Sequence, residues 1–103
     1  MELEGKVALV TGAGREGKGI GRSICLKLAK SGAKIVITDY VVEAAEAVAK
    51  EVIDAGGEAI AVQANVANPE DVERMVNSAV DKFGKVEFRF YFSGKFVRSI
   101  EPS

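Results

Sequence analysis

The chain has 103 residues, 48% hydrophobic and 28% charged, which is enough for one small globular domain and too apolar for disorder. Fourteen basic residues nearly cancel fifteen acidic ones with no basic block, which argues against a nucleic-acid surface or a membrane-bound face. One cysteine and no histidine exclude an internal disulfide framework and remove the usual zinc ligands and the commonest general base, so no metal site is expected and a reducing, cytoplasmic setting fits.

Lys6 to Val10 reads as a first strand, apolar from Val7 onward and so covered on both faces. It runs into a loop holding Gly12, Gly14, Gly17, Gly19 and Gly21, and a helical pattern follows. Strand, glycine turn, helix is the order in which an α/β sheet presents a phosphate site. Glycine keeps Cβ atoms away from a ligand lying on the backbone. The helix start then aims unpaired N–H groups and the positive end of its dipole at an anion.

Two spacings fit this loop. Gly12-x-Gly14-x-x-Gly17 is the dinucleotide fingerprint taken literally, but it leaves Gly19 and Gly21 inside the first helical turns, at about 1 kcal/mol each relative to alanine. The preferred reading takes Thr11-Gly12 as the entrance and Gly19-Ile20-Gly21 as the helix start. That gives the late glycines close approach to phosphate and tight helix–strand packing. The plainer alternative is a glycine turn that binds nothing.

The first helix runs to Ser31, with Ile20, Ile24 and Leu28 on one face, and Gly32 ends it. Cys25, inside it, reads as a packing residue, since no histidine or second cysteine supports a reactive thiol. Lys34 to Thr38 is the second strand, with Asp39 at its end. From Gly17, Asp39 falls near the distance of about 20 residues at which the fingerprint asks for an acidic residue. A carboxylate there accepts hydrogen bonds from both ribose hydroxyls of the adenosine and repels a 2′-phosphate. The competing reading is a strand-end aspartate that caps the next helix.

Val41 to Ala55 forms a second helix stopped by Gly56-Gly57, and Glu58 to Gln63 a third strand. Asn68 caps a third helix, with Pro69 at its first position and Glu70 and Asp71 in its first turn. Val72, Met75, Val76, Ala79 and Phe83 mark its buried face, Gly84 closes it, and Val86 opens a fourth strand. The order βαβαβαβ predicts a parallel sheet. Right-handed crossovers put the first two helices on one face and the third on the other. The expected architecture is a half Rossmann fold, about four strands in order 3-2-1-4, with its switch point between strands 1 and 4. Ligands bind in that crevice.

Thr11-Gly12 with Gly19-Ile20-Gly21, Ile35 to Asp39, Asn65-Val66, and Asp81 to Val86 together resemble the N-terminal half of the short-chain dehydrogenases/reductases, over residues 5–86. The resemblance implies a dinucleotide partner, NAD rather than NADP. It implies binding by Thr11, Gly12, Gly14, Gly19, Ile20, Gly21 and Asp39, with Asn65 on the adenine amino group and the Val66 backbone on the same ring. Neutral Tyr40 after Asp39 favours NAD, whereas Arg15 in the glycine loop is the feature that would suit NADP. Many relatives reduce 3-oxoacyl thioesters or oxidise secondary alcohols.

The sequence departs from that pattern at Glu87, which divides a nucleotide-binding part, 1–86, from an atypical tail, 87–103. The expectation is a truncated or frame-altered chain without the family's catalytic serine and Tyr-x-x-x-Lys pair. A Tyr91-Phe92-Ser93-Gly94-Lys95 string occurs, but it sits at a strand end with a glycine inside, where the two side chains do not share a helical face. No catalytic residue is assigned. The alternative function is a catalytically silent nucleotide-binding or self-associating fragment, with association through an exposed aromatic edge at Val86–Phe92.

Overall fold

The computed structural model describes residues 2–11, 20–65, 68–93 and 96–100. The elements follow in the order β1 (Val7–Thr11), α1 (Ile20–Lys30), β2 (Lys34–Asp39), α2 (Val42–Asp54), β3 (Glu58–Gln63), α3 (Pro69–Phe83), β4 (Phe88–Ser93) and β5 (Phe96–Ile100). One sheet holds all five strands in the order β3-β2-β1-β4-β5. The first four are parallel in the predicted order 3-2-1-4, with β1 paired to β2 from Val7↔Lys34 to Thr11↔Thr38 and to β4 from Ala8↔Phe88 to Thr11↔Tyr91.

Every residue of β1 is buried, because each face of the strand meets a helical layer. Ala8 and Val10 join Ile35 and Ile37 against Cys25 of α1 and Ala45, Val48 and Val52 of α2. Val7, Leu9 and Val36 face Met75 and Ala79 of α3 on the opposite side. Leu9 and Ile37 are wholly inaccessible, and each contributes on the order of 2 kcal/mol of hydrophobic stabilisation. The period of two in the strands thus sends alternate residues to two separate cores, and the helices lie on both faces as the crossovers require.

Local signals set the helix ends. Asn68 Oδ1 accepts from the Glu70 N–H (2.9 Å), Pro69 opens α3, and Gly84 closes it in the left-handed region at φ 87°. The α2–β3 turn needs Gly57 for space: a Cβ there would lie 2.9 Å from Val52 Cγ1 and 3.4 Å from Ala29 Cβ. In α1 the contact face differs from the expected stripe. Gly21 and Cys25 are buried and Ile24 is only half-buried. The small residues let the helix lie close on the sheet, and its face is turned by about one position.

A larger difference lies after Val86. The sequence predicts about four strands with β4 as an open aromatic edge, but β5 folds back and pairs antiparallel with β4, from Arg89↔Ile100 to Ser93↔Phe96. The edge on which self-association is expected is therefore already occupied. The strand's other edge is anchored on β1 at its start, and Phe88 packs against the core shared by α1 and α2.

Glu87 makes that anchor. Its N–H donates to the Val7 carbonyl (2.9 Å), and its side-chain Oε1 accepts from the Val7 N–H (2.7 Å). Lys85 Nζ lies 2.9 Å from its other oxygen. Burial opposes ionisation of the Glu87 carboxyl, but the Lys85 ammonium, the Val7 N–H and nearby Lys6 together outweigh it and hold the group below the usual carboxylate range. At neutral pH, Glu87→Ala is expected to lower the unfolding free energy by about 2 kcal/mol, as measured by urea denaturation. The ionised form is the stabilising one. The difference from the unmutated chain should be full above the unfolded-state pKa and shrink as pH falls through the lower folded-state value.

Candidate nucleotide site

The C-terminal ends of β1, β2 and β3 come together at one rim of the sheet, where Thr11 is level with Thr38 and Asp39 with Gln63. At this rim the chain turns to β2 and β3 on one side of β1 and to β4 on the other, which makes a topological switch point. Thr11 is fully buried there, and α1 begins at Ile20 with Gly21 buried against the sheet. Gly12, Gly14, Gly17 and Gly19 of the glycine loop, and Val66 after β3, lie outside the described residues. Of the predicted nucleotide residues, the rim thus brings Thr11, Asp39 and Asn65 to the ends of adjacent strands, with Ile20 and Gly21 opening the helix that follows β1.

Asp39 carries the electrostatics of this rim. It is 2% exposed, and its Oδ1 accepts from the Val41 N–H at 2.9 Å. That contact braces the entrance to α2, whose N-cap Val41 has no side-chain cap of its own. Asp39 therefore does part of what the capping reading asks, with one oxygen only. Its Oδ2 is buried with no hydrogen-bond partner among the described residues, and so is Thr38 Oγ1 on the preceding residue. A desolvated carboxylate oxygen without a donor is costly, by about 1–3 kcal/mol or more. A donor such as a sugar hydroxyl suits the position, so the residues present fit the ribose of a dinucleotide.

The two loops beside Asp39 are tied together. The Ala64 N–H donates to the Asp39 carbonyl (3.1 Å), and Gln63 Nε2 donates to the Tyr40 carbonyl (3.1 Å). Tyr40 itself is 61% exposed. Asn65, exposed at the tip, has its N–H held by Asp71 Oδ2 at 2.9 Å. Arg74 donates to the Gln63 carbonyl at 2.7 Å and lies 3.5 Å from Asp71 Oδ1. Gln63, Asp71 and Arg74 were not singled out from sequence as site residues. Asp71 is visible there only as a first-turn acid, and nothing in the periodicity marks bonds from a helix back to the strand end that precedes it.

Known proteins share this sequence pattern and fold. A sequence model described as short chain dehydrogenase matches residues 6–89, three residues past the point where the sequence reading ends its resemblance. A 3-oxoacyl-[acyl-carrier-protein] reductase from Synechocystis is 48% identical over 87 residues, covering 82% of this chain and 34% of that protein. A hydroxysteroid dehydrogenase from Escherichia coli superposes with a TM-score of 0.85 at 33% identity, over 90% of this chain and 38% of its own. A Haemophilus influenza protein solved with bound NAD superposes with a TM-score of 0.78 at 33% identity, covering 85% and 30% of the two chains. The chain spans about a third of the length of the curated relatives it matches.

The remaining candidate for chemistry, Cys25, is turned into the core. It is wholly inaccessible, and burial pushes its thiol up to about 12. No group of three or more His, Cys, Asp or Glu side chains among the described residues could hold a metal ion. Near neutral pH, iodoacetamide is expected to leave Cys25 unmodified in the native chain and to alkylate it fully after denaturant is added, read by intact mass. Rapid native labelling would show that the thiol is accessible after all.

Proposed function

The chain belongs to the short-chain dehydrogenase family, and from that premise we propose that it is the cofactor-binding part of an NAD-dependent oxidoreductase. The observation that carries this reading is the buried Oδ2 of Asp39 at the end of β2, which has no hydrogen-bond partner among the described residues. A ribose hydroxyl that donates to this oxygen removes the cost of a desolvated acceptor while Oδ1 keeps its bond to Val41. On this reading Thr11, Gly12, Gly14 and Gly19 are assigned to the pyrophosphate, and the first turn of α1, at Ile20 and Gly21, offers it N–H groups and a positive dipole end. The Asn65 side chain and Val66 backbone take the adenine. When bound, the nicotinamide supplies the hydride chemistry.

The same carboxylate sets the cofactor preference. A 2′-phosphate in contact with Asp39 would meet a buried like charge, and the next side chain, Tyr40, offers no cation to offset it. Calorimetry is expected to rank NADH over NADPH by about tenfold or more, with Asp39→Ala narrowing the gap. Equal or reversed affinities in the unmutated chain would overturn the assignment.

A second reading is favoured by β4 and β5: a nucleotide-binding module, residues 1–86 with the tail from Glu87, that does not turn over. Tyr91, Phe92 and Ser93 are strand residues of β4, so the Tyr91 to Lys95 string does not set a tyrosine and a lysine on one helical face. A tyrosine serves as general acid/base near neutral pH only where a neighbouring cation lowers its pKa. The 103-residue chain is expected to consume NADH only at background with 3-oxoacyl thioesters and simple ketones. Turnover that survives repurification and disappears in Tyr91→Phe would restore the string as catalytic.

A further inference from the structure

Asp71 and Arg74 lie one helical turn apart at the start of α3, and both reach back to the backbone of the strand end that precedes the helix. Asp71 Oδ2 accepts the Asn65 N–H, and Arg74 donates to the Gln63 carbonyl, so the pair holds the chain on either side of Ala64. The two side chains face each other at 3.5 Å, which closes a ring from Asn65 through Asp71 and Arg74 to Gln63. The ring is coupled to the ribose carboxylate through Gln63 Nε2 on the Tyr40 carbonyl and Ala64 N–H on the Asp39 carbonyl. As an exposed ion pair alone, Asp71–Arg74 contributes little to stability. Its contacts are to backbone, however, and a backbone held at two points fixes where the Asn65 side chain emerges.

We infer that Asp71 and Arg74 are positioning residues that set base discrimination at the adenosine end by holding Asn65 in place. The inference rests on the nucleotide reading above and goes further by assigning the selection of adenine to a pair that need not touch the ligand. Asp71 is favoured where it stands, since a carboxylate in the first turn also meets the positive end of the helix dipole. The side chain that reads the base is then placed by α3, and the one that reads the sugar is carried by β2. A change in this ring should therefore alter which base is accepted more than whether a sugar phosphate is bound.

The test compares ADP with IDP, which differ in the adenine amino group, by calorimetry on the full 103-residue chain. The unmutated chain is expected to prefer ADP. Asp71→Ala and Arg74→Ala should each weaken ADP about fivefold, the size of one backbone hydrogen bond lost, while leaving IDP nearly unchanged. Asp71→Asn keeps an acceptor for the Asn65 N–H and should recover most of the preference. Amide exchange at Asn65 should quicken in Asp71→Ala even without nucleotide. If Asp71→Ala does not fold, exposed Arg74 carries the same test. An ADP preference that persists undiminished in folded Asp71→Ala or Arg74→Ala overturns the clasp and leaves the nucleotide reading intact, as does equal weakening of ADP and IDP. Absence of any ADP binding in the unmutated chain overturns the nucleotide reading itself, and the clasp with it.

Discussion

The burial of β1 on both faces is the constraint on which the molecule depends. Val7, Ala8, Leu9 and Val10 have no solvent-accessible surface, and a strand so apolar has to lie between two helical layers and two neighbouring strands. Parallel pairing to β2 and β4 meets that demand, and it sends the crossovers away from β1 in opposite directions. The rim beyond Thr11 then opens between divergent connections. The crevice at that rim is thus a by-product of how the most apolar strand is covered.

The rim gathers groups that folding leaves partly unsatisfied. Away from it, several polar contacts close on themselves: Asn68 caps α3, Arg22 grips Glu51 through two bonds of 2.7 and 2.8 Å between α1 and α2, and Glu87 takes up the Val7 N–H. At the end of β2, Asp39 Oδ2 and Thr38 Oγ1 stay buried without partners among the described residues. Local rules are most often broken where a protein has something to bind.

Much of this was readable from the residues because the signals are local. The Asn68-Pro69 start and Gly84 stop of α3 depend on side chains and backbone within a few positions, and the structure shows both. Strand order followed from burial and crossover rules applied to four strands. The position of Asp39 was fixed by the strand it ends, whereas the split between its two oxygens was not, since that depends on where the Val41 N–H points. Two features escaped for a common reason. The partner of β5 and the grip of Asp71 and Arg74 on the β3 end are contacts whose geometry no sequence period encodes. The rotation of α1 by about one position reflects steric fit, in which Gly21 and Cys25 matter for being small rather than apolar.

The strand order also has a bearing on how the chain is made. One edge of β1 is paired as soon as β2 follows it, but the other waits for Phe88–Ser93, some eighty positions downstream. At a ribosomal pace of roughly 5–20 residues per second, the interval between completing β2 and delivering β4 is on the order of several seconds. Throughout it the nascent chain carries β1 with one row of backbone N–H and C=O groups unpaired, the kind of edge on which other chains can template. Vulnerability during synthesis is therefore concentrated in the interval before Glu87 arrives to claim the Val7 amide.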